Sequence, residues 1–144
     1  EPLFNKMSVH RGHKGEWYVL DAAKGSFGGI DACLGFLATA RAPRKTVLFG
    51  TISDHAGASR SAYHRVTRAA LAQAERVFVA GPNALRPRRL ARSEFPGRIF
   101  MEEDREKCVA ALVGSVIEDE LIYVKSSTVD DLQGALAAAF VDRP

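Results

Sequence analysis

The chain has 144 residues, 47% of them hydrophobic and 26% charged, enough for one domain with its own core. No apolar run approaches the roughly 20 residues of a membrane-spanning helix, and no charged–apolar–small signal sequence opens the chain, so a cytoplasmic protein without a membrane partner is expected. The net charge of +3 gathers in Arg86, Arg88, Arg89, Arg92 and Arg98, with Arg41, Arg44 and Lys45 in another turn. That pattern fits a solvated basic surface or an anionic partner such as a phosphorylated substrate; nucleic acid is not expected, because no aromatic residues interleave with the arginines.

In chain order, residues 5–10 and 16–20 read as two strands around the turn Gly12-His13-Lys14-Gly15, a hairpin. Ile30, Cys33, Leu34, Leu37 and Ala38 then recur at helical spacing until Pro43. Residues 46–49 form a short apolar strand of the kind buried on both faces. Tyr63, Val66, Ala70 and Ala74 mark a second helix, and residues 77–80 another buried strand, stopped by Gly81-Pro82-Asn83. Pro87 interrupts the stretch 84–94, which has room for a short helix only. Residues 98–101 read as a strand and 106–116 as a helix with Val109, Leu112, Val113 and Val116 inward. Residues 121–124 make the last buried strand. Ser127 and Thr128 are candidate caps for a final helix with Asp130 and Asp131 in its first turn and Leu132, Leu136 and Phe140 on its apolar face.

Alternating strands and helices predict an α/β domain: a Rossmann-like, doubly wound, mostly parallel sheet with helices on both faces. The opening hairpin adds an antiparallel strand at one edge. Cys33 and Cys108 sit in helix-like apolar patterns outside any metal or redox motif and are expected to be buried free thiols. His10 and His13 flank the hairpin turn without a third ligand, so no metal site is expected.

Three apolar runs break into polar turns at strand ends, where open α/β sheets bind ligands. The first runs from Val19 through Asp21, Lys24, Gly25 and Ser26 to Gly28-Gly29. The second is Phe49-Gly50-Thr51-Ile52-Ser53-Asp54. The third is Val124-Lys125-Ser126-Ser127-Thr128. The glycine spacing is not the dinucleotide fingerprint, and no Gly-Lys-Ser/Thr completes a phosphate-cradling loop. Asp21 is suited to accepting from a ribose, orienting a cation or stabilising its own turn. Lys24 is a loop lysine or a partner for a carboxylate or phosphate. Lys125 ends a buried strand and projects over the ligand edge.

These turns resemble, in order and spacing, the C-terminal domain of the Mur ligases, in particular the branch that adds D-alanyl-D-alanine to the muramoyl-tripeptide precursor. Asp21-Ala22-Ala23-Lys24-Gly25-Ser26-Phe27-Gly28-Gly29-Ile30 runs beside the family's Asp-x-Tyr-Asn-Ala-Asn-Pro-x-Ser-Met and keeps the acid and the apolar helix start. Gly50 matches the Gly of Gly-Asp-Met-x-Glu-Leu-Gly; Thr51 stands at its Asp, Asp54 near its Glu, and His64 at the following His after one insertion. Val124, Lys125 and Ser127 match Val-Lys-Gly-Ser-Arg, with Ser126 and Thr128 in place of the Gly and Arg. The asparagines of the first motif and the arginine of the third are replaced, which puts the usual peptidoglycan substrate in question.

The resemblance implies that residues 1–144 are a single domain cut from a three-domain, ATP-dependent amide ligase of cell-wall biogenesis that works through an acyl phosphate. Asp21, Gly25 and Ser26 would then face the nucleotide, and Lys24, Lys125, Ser126, Ser127 and Thr128 the amino acid or peptide substrate, with Thr51, Asp54 and His64 as additional candidates. ATP and Mg2+ would be held with the missing N-terminal and central domains. The isolated domain, which has no Walker loop, would bind neither and turn over nothing. The alternative is a non-catalytic ligand- or partner-binding module derived from the same fold.

Overall fold

The computed structural model of the chain describes residues 7–21, 30–51, 60–125 and 131–141. Strands β1 (Met7–Arg11) and β2 (Trp17–Asp21) form the expected hairpin, with Val9 opposite Val19. Its turn is closed by the Gly12 amide donating to the Glu16 carbonyl at 2.7 Å, and Gly15 takes φ +87°, a left-handed conformation that favours glycine. The buried Glu16 carboxylate accepts from the Lys14 amide at 3.0 Å and the Tyr18 hydroxyl at 2.6 Å, so a charged side chain inside the hairpin has its partners.

The rest alternates: α1 (Ile30–Thr39), β3 (Lys45–Phe49), α2 (Arg60–Leu71), β4 (Arg76–Ala80), α3 (Arg88–Ser93), β5 (Ile99–Glu102), α4 (Arg105–Ser115), β6 (Leu121–Lys125) and α5 (Leu132–Leu136). The sheet order is β1-β2-β6-β3-β4-β5. The hairpin pair is antiparallel and every other pair is parallel, as the sequence pattern predicts.

Because strand side chains alternate between faces, the sheet separates two cores. One face packs Val19, Val47, Phe49, Val77, Val79 and Tyr123 against Ile30, Cys33 and Leu37 of α1, Tyr63, Val66 and Ala70 of α2, and Leu90 of α3. The other packs Leu20, Leu48, Phe78, Ile122 and Val124 against Cys108, Val109 and Leu112 of α4 and Leu132 and Leu136 of α5. Every residue of β4 and β6 is buried, the mark of strands covered on both faces. Among the described residues no helix is long and apolar enough to cross a membrane.

The C-terminal end departs from expectation. The helix there is short, and its N-cap is Asp131, whose side chain accepts from the Gly134 amide at 3.2 Å. Ser127, Thr128 and Asp130, the expected caps and first turn, lie outside the described residues. Ala137–Ala139 tighten into a 3-10 turn, and Phe140 leaves the helix to bridge Gly12. Its ring stacks on His10 at 4.3 Å and leans on Tyr18 at 5.2 Å. Docking onto the hairpin thus overrides the helical period that Leu132, Leu136 and Phe140 share.

Both cysteines are free and buried. Burial, with the charge of Asp21 adding at Cys33 and that of Glu102 at Cys108, pushes each thiol up to about 12. Since the thiolate is the reactive form, neither cysteine should react with a disulfide reagent at pH 8 in the native protein. Both should react once urea unfolds it, which a timed thiol titration checks.

Candidate functional site

Chain direction locates the site. After β2 the chain passes to α1 on one face; after β6 it passes to α5 on the other. Connections therefore diverge at the carboxyl ends of β2 and β6, the place where open α/β sheets bind ligands. The two strands lie side by side there, with Asp21 in register with Lys125 and Phe49 of β3 on Lys125's other side.

At this point Lys125 Nζ donates to Asp21 Oδ2 at 3.2 Å, and the Tyr123 hydroxyl donates to the same oxygen at 2.9 Å. Tyr123 and Lys125 are two apart on one strand and share its face. Asp21 is 9% exposed and Lys125 4%, so the pair is shielded from water. Burial first, then the charge of Asp21, raises the Tyr123 hydroxyl above its ordinary value of 10.0, which keeps it a donor at physiological pH. Phe36 of α1 leans over the Tyr123 ring at 5.7 Å.

Two donors thus converge on Oδ2, while no described residue bonds Oδ1. Oδ1 is suited to accept from a hydroxyl or ammonium, and a lysine ammonium has three donors, of which Asp21 is the one described acceptor here. Together the groups form a neutral pair able to receive a ligand carrying both a donor and an anion. Asp21 and Lys125, which the resemblance sends to different ligands, are therefore in contact with each other. Tyr123 joins them without having been singled out in the sequence. The signal for it is its spacing of two from Lys125 within an otherwise aliphatic strand.

The third strand end completes the row. The Gly50 amide donates to the Lys125 carbonyl at 3.0 Å, and the Tyr63 hydroxyl reaches the Gly50 carbonyl at 3.4 Å. Thr51 follows, partly buried. Beside Gly50 opens a cavity of about 360 Å³ across the ends of β3, β4 and β5, bounded by Gly81, Pro82, Asp104, Arg105 and Leu132. The Asp104 carboxylate caps α4 through the Glu106 and Lys107 amides at 2.9 and 3.1 Å. Arg105 lies 3.2 Å from Glu106 and 3.9 Å from Asp131.

His64 sits on α2 within electrostatic reach of Glu94; its Nε2 is buried and has no hydrogen-bond partner among the described residues. It does not join the Asp21–Lys125 pair. Lys24, Gly25, Ser26, Asp54, Ser126, Ser127 and Thr128 lie outside the described residues. Among those described, no group of three His, Cys, Asp or Glu side chains is arranged to hold a metal ion.

The opposite end of the sheet carries a second buried charge cluster that the sequence did not announce. Glu120, fully buried, accepts from Arg44 at 2.8 Å and the Ile117 amide at 2.9 Å through one oxygen. Its other oxygen accepts from Arg76 at 2.8 Å and from the Thr46 hydroxyl. Burial alone would raise the Glu120 carboxyl, but the hydrogen bonds from Arg44, Thr46 and the Ile117 amide, with the charge of Arg76, hold it below 4.5. At Arg76 burial dominates and lowers its pKa, against the pull of Glu120. The cluster lies at the amino ends of the strands, away from the Asp21–Lys125 pair, and ties β3, β4 and the β6 entry together.

No family model matches the sequence, and no curated protein matches it. Solved structures do match in fold. A MurF ligase from Thermotoga maritima, determined in complex with ADP, matches over 90% of this chain at 19% identity and a TM-score of 0.65. MurF from Acinetobacter baumannii matches over 93% at 13% identity and 0.75. A domain named for a UDP-N-acetylmuramate:L-alanyl-gamma-D-glutamyl-medo-diaminopimelate ligase of Haemophilus ducreyi 35000HP matches over 92% at 16% identity and 0.57, and 98% of that domain is covered. The chain spans 29% and 30% of the two MurF chains. At these identities the likeness is one of fold, and the fold fits a divergent Mur ligase C-terminal domain.

Proposed function

We propose that this chain is the C-terminal, substrate-binding and ATP-site-closing domain of an ATP-dependent amide ligase of the Mur type. The observation that carries the reading is the Asp21–Tyr123–Lys125 contact at the switch point of a fold shared with Mur ligases. In the proposed reaction a carboxylate is activated by ATP as an acyl phosphate and an amine then displaces the phosphate to form the amide.

The described residues would supply one wall of such a site. Asp21 Oδ1 would accept a hydroxyl of the nucleotide or the ammonium of the incoming substrate. Lys125, steadied by Asp21, would offer its remaining N–H groups to a carboxylate or a transferring phosphate. A domain that swings closed would keep water from the reactive acyl group. The sequence has no Walker loop, and under this reading the nucleotide phosphates and Mg2+ would be held with further domains of the ligase. The same neutral pair on an isolated domain would suit a ligand-binding module, the second reading.

The test uses the protein purified from its source cells. Its intact mass is expected near three times the 15.6 kDa of this chain, as its 29% and 30% shares of the MurF chains imply. Given ATP, D-alanyl-D-alanine and a muramoyl-tripeptide precursor, or another amine and carboxylate pair, that protein should release ADP and phosphate as the amide forms. Asp21→Asn should lower kcat/KM by about 10²-fold, the order that misplacing a reacting group costs. An intact mass near 15.6 kDa, or no ADP release with any such pair, would overturn the ligase reading, and full activity in Asp21→Asn would remove Asp21 from its site.

A further inference from the structure

The segment from Leu85 to Arg92 carries a charge pattern that the candidate site does not use. From Arg76 to Ser93 the sequence has five arginines and no aspartate or glutamate. Arg76 is spent on Glu120. The other four, Arg86, Arg88, Arg89 and Arg92, are all exposed, and they exceed the whole net excess of +3. The first acid beyond them, Glu94, is held by Arg68 of α2 at 2.7 Å. Arg86 reaches the Asn83 side chain at 3.2 Å and Arg88 the Leu85 carbonyl at 3.2 Å. No described acidic side chain pairs with any of the four.

Local stability does not account for this arrangement. Arg88 and Arg89 open α3, where the helix dipole disfavours cations, and Arg92 stands three and four residues on, where like charges repel. Pro87 precedes the helix with no side-chain cap. The segment is held down by buried Ala84, Pro87 and Leu90, and presents Leu85, 41% exposed, next to Arg86 in the chain and with its carbonyl bonded by Arg88. Local rules are broken together at one surface, as happens where a surface serves binding.

We infer that this surface docks the protein reversibly on a phosphate-bearing anionic lipid bilayer. All four cations are arginines, whose planar forks pair with phosphate oxygens bidentately. None of the four lines the cavity at the strand ends. It carries no aromatic side chain on which a nucleic-acid base would stack. An exposed leucine set among arginines suits the headgroup boundary, where an apolar side chain enters and cations stay with the phosphates. This surface goes beyond the ligase reading, stands or falls independently of it, and departs from the sequence expectation of no membrane partner.

The test is co-sedimentation of the 144-residue chain with phosphatidylcholine vesicles, with and without phosphatidylglycerol. Binding is expected to the phosphatidylglycerol vesicles alone and to fall with salt. Each arginine near an anionic surface contributes about fivefold, so Arg88→Gln/Arg89→Gln should weaken partitioning by about 30-fold. These exposed substitutions should leave the thermal midpoint unchanged. Leu85→Ser should weaken binding further, and Lys107→Gln, the loss of one charge on the opposite face, should not, whereas Arg89→Gln alone should weaken it about fivefold. Equal sedimentation with both vesicle types, or an unaffected arginine double variant, would overturn the proposal. So would full displacement by tripolyphosphate together with an unaffected Leu85→Ser, which would assign the surface to soluble polyanions.

Discussion

Glu120→Ala is expected to destabilise the domain by about 3–5 kcal/mol, the range for removing one partner of a buried charge cluster. Arg76, with a side chain 11% exposed, would be left without a counter-ion, and the Ile117 amide and Thr46 hydroxyl would lose their acceptor. Against a typical total of about 5–15 kcal/mol this is a large fraction, visible as a lower urea midpoint. Glu120→Gln, which keeps the shape and one acceptor oxygen, should lose less. The pH dependence has a definite sign. The folded carboxyl titrates below its ordinary 4.5, so its contribution is fully present above that value and disappears as pH falls through the lower folded value. The wild type should lose stability below pH 4.5 more steeply than Glu120→Ala. Parallel curves, or a midpoint within error of wild type, would remove the cluster from the account of stability.

Lys125→Met should cost about 3 kcal/mol, because it leaves the Asp21 carboxylate, with a side chain 12% exposed, held by the Tyr123 hydroxyl alone. The sharper expectation concerns its rescue. Adding Asp21→Asn removes the stranded charge, so the double variant should be more stable than Lys125→Met by itself. Residues in direct contact couple in this way, whereas independent sites add. Simple addition of the two losses in a urea denaturation cycle would mean that the pair is not formed in solution. Under the ligase reading the double variant regains stability and not activity, which separates the structural from the chemical role of the pair.

Much of this was legible from local pattern. The hairpin, the parallel strands and the helices α1, α2 and α4 follow from periodicity of two or three to four residues, because burial on one or both faces leaves that imprint on the chain. Asp21 and Lys125 were legible as strand-end polar residues. Their contact was not, because it depends on β6 inserting between β2 and β3, a choice of strand order that local pattern does not carry. Tyr123 was hidden for the same reason, since a tyrosine in an apolar strand reads as core until its hydroxyl is seen to meet a carboxylate from the neighbouring strand. At the C-terminal end, the helical spacing of Phe140 gave way to its docking on Gly12 and His10, a tertiary contact stronger than local propensity.

The sequence by itself thus determined the class of fold, the polar residues at the strand ends and the uneven placement of its arginines. All of these are properties of short stretches of chain. Tertiary structure alone decided which charges are partners: Asp21 with Lys125 at one end of the sheet, Glu120 with Arg44 and Arg76 at the other. Those pairs join residues separated by 104, 76 and 44 positions. The energy of burying a charge depends on what folding brings beside it, and no stretch of sequence states that in advance.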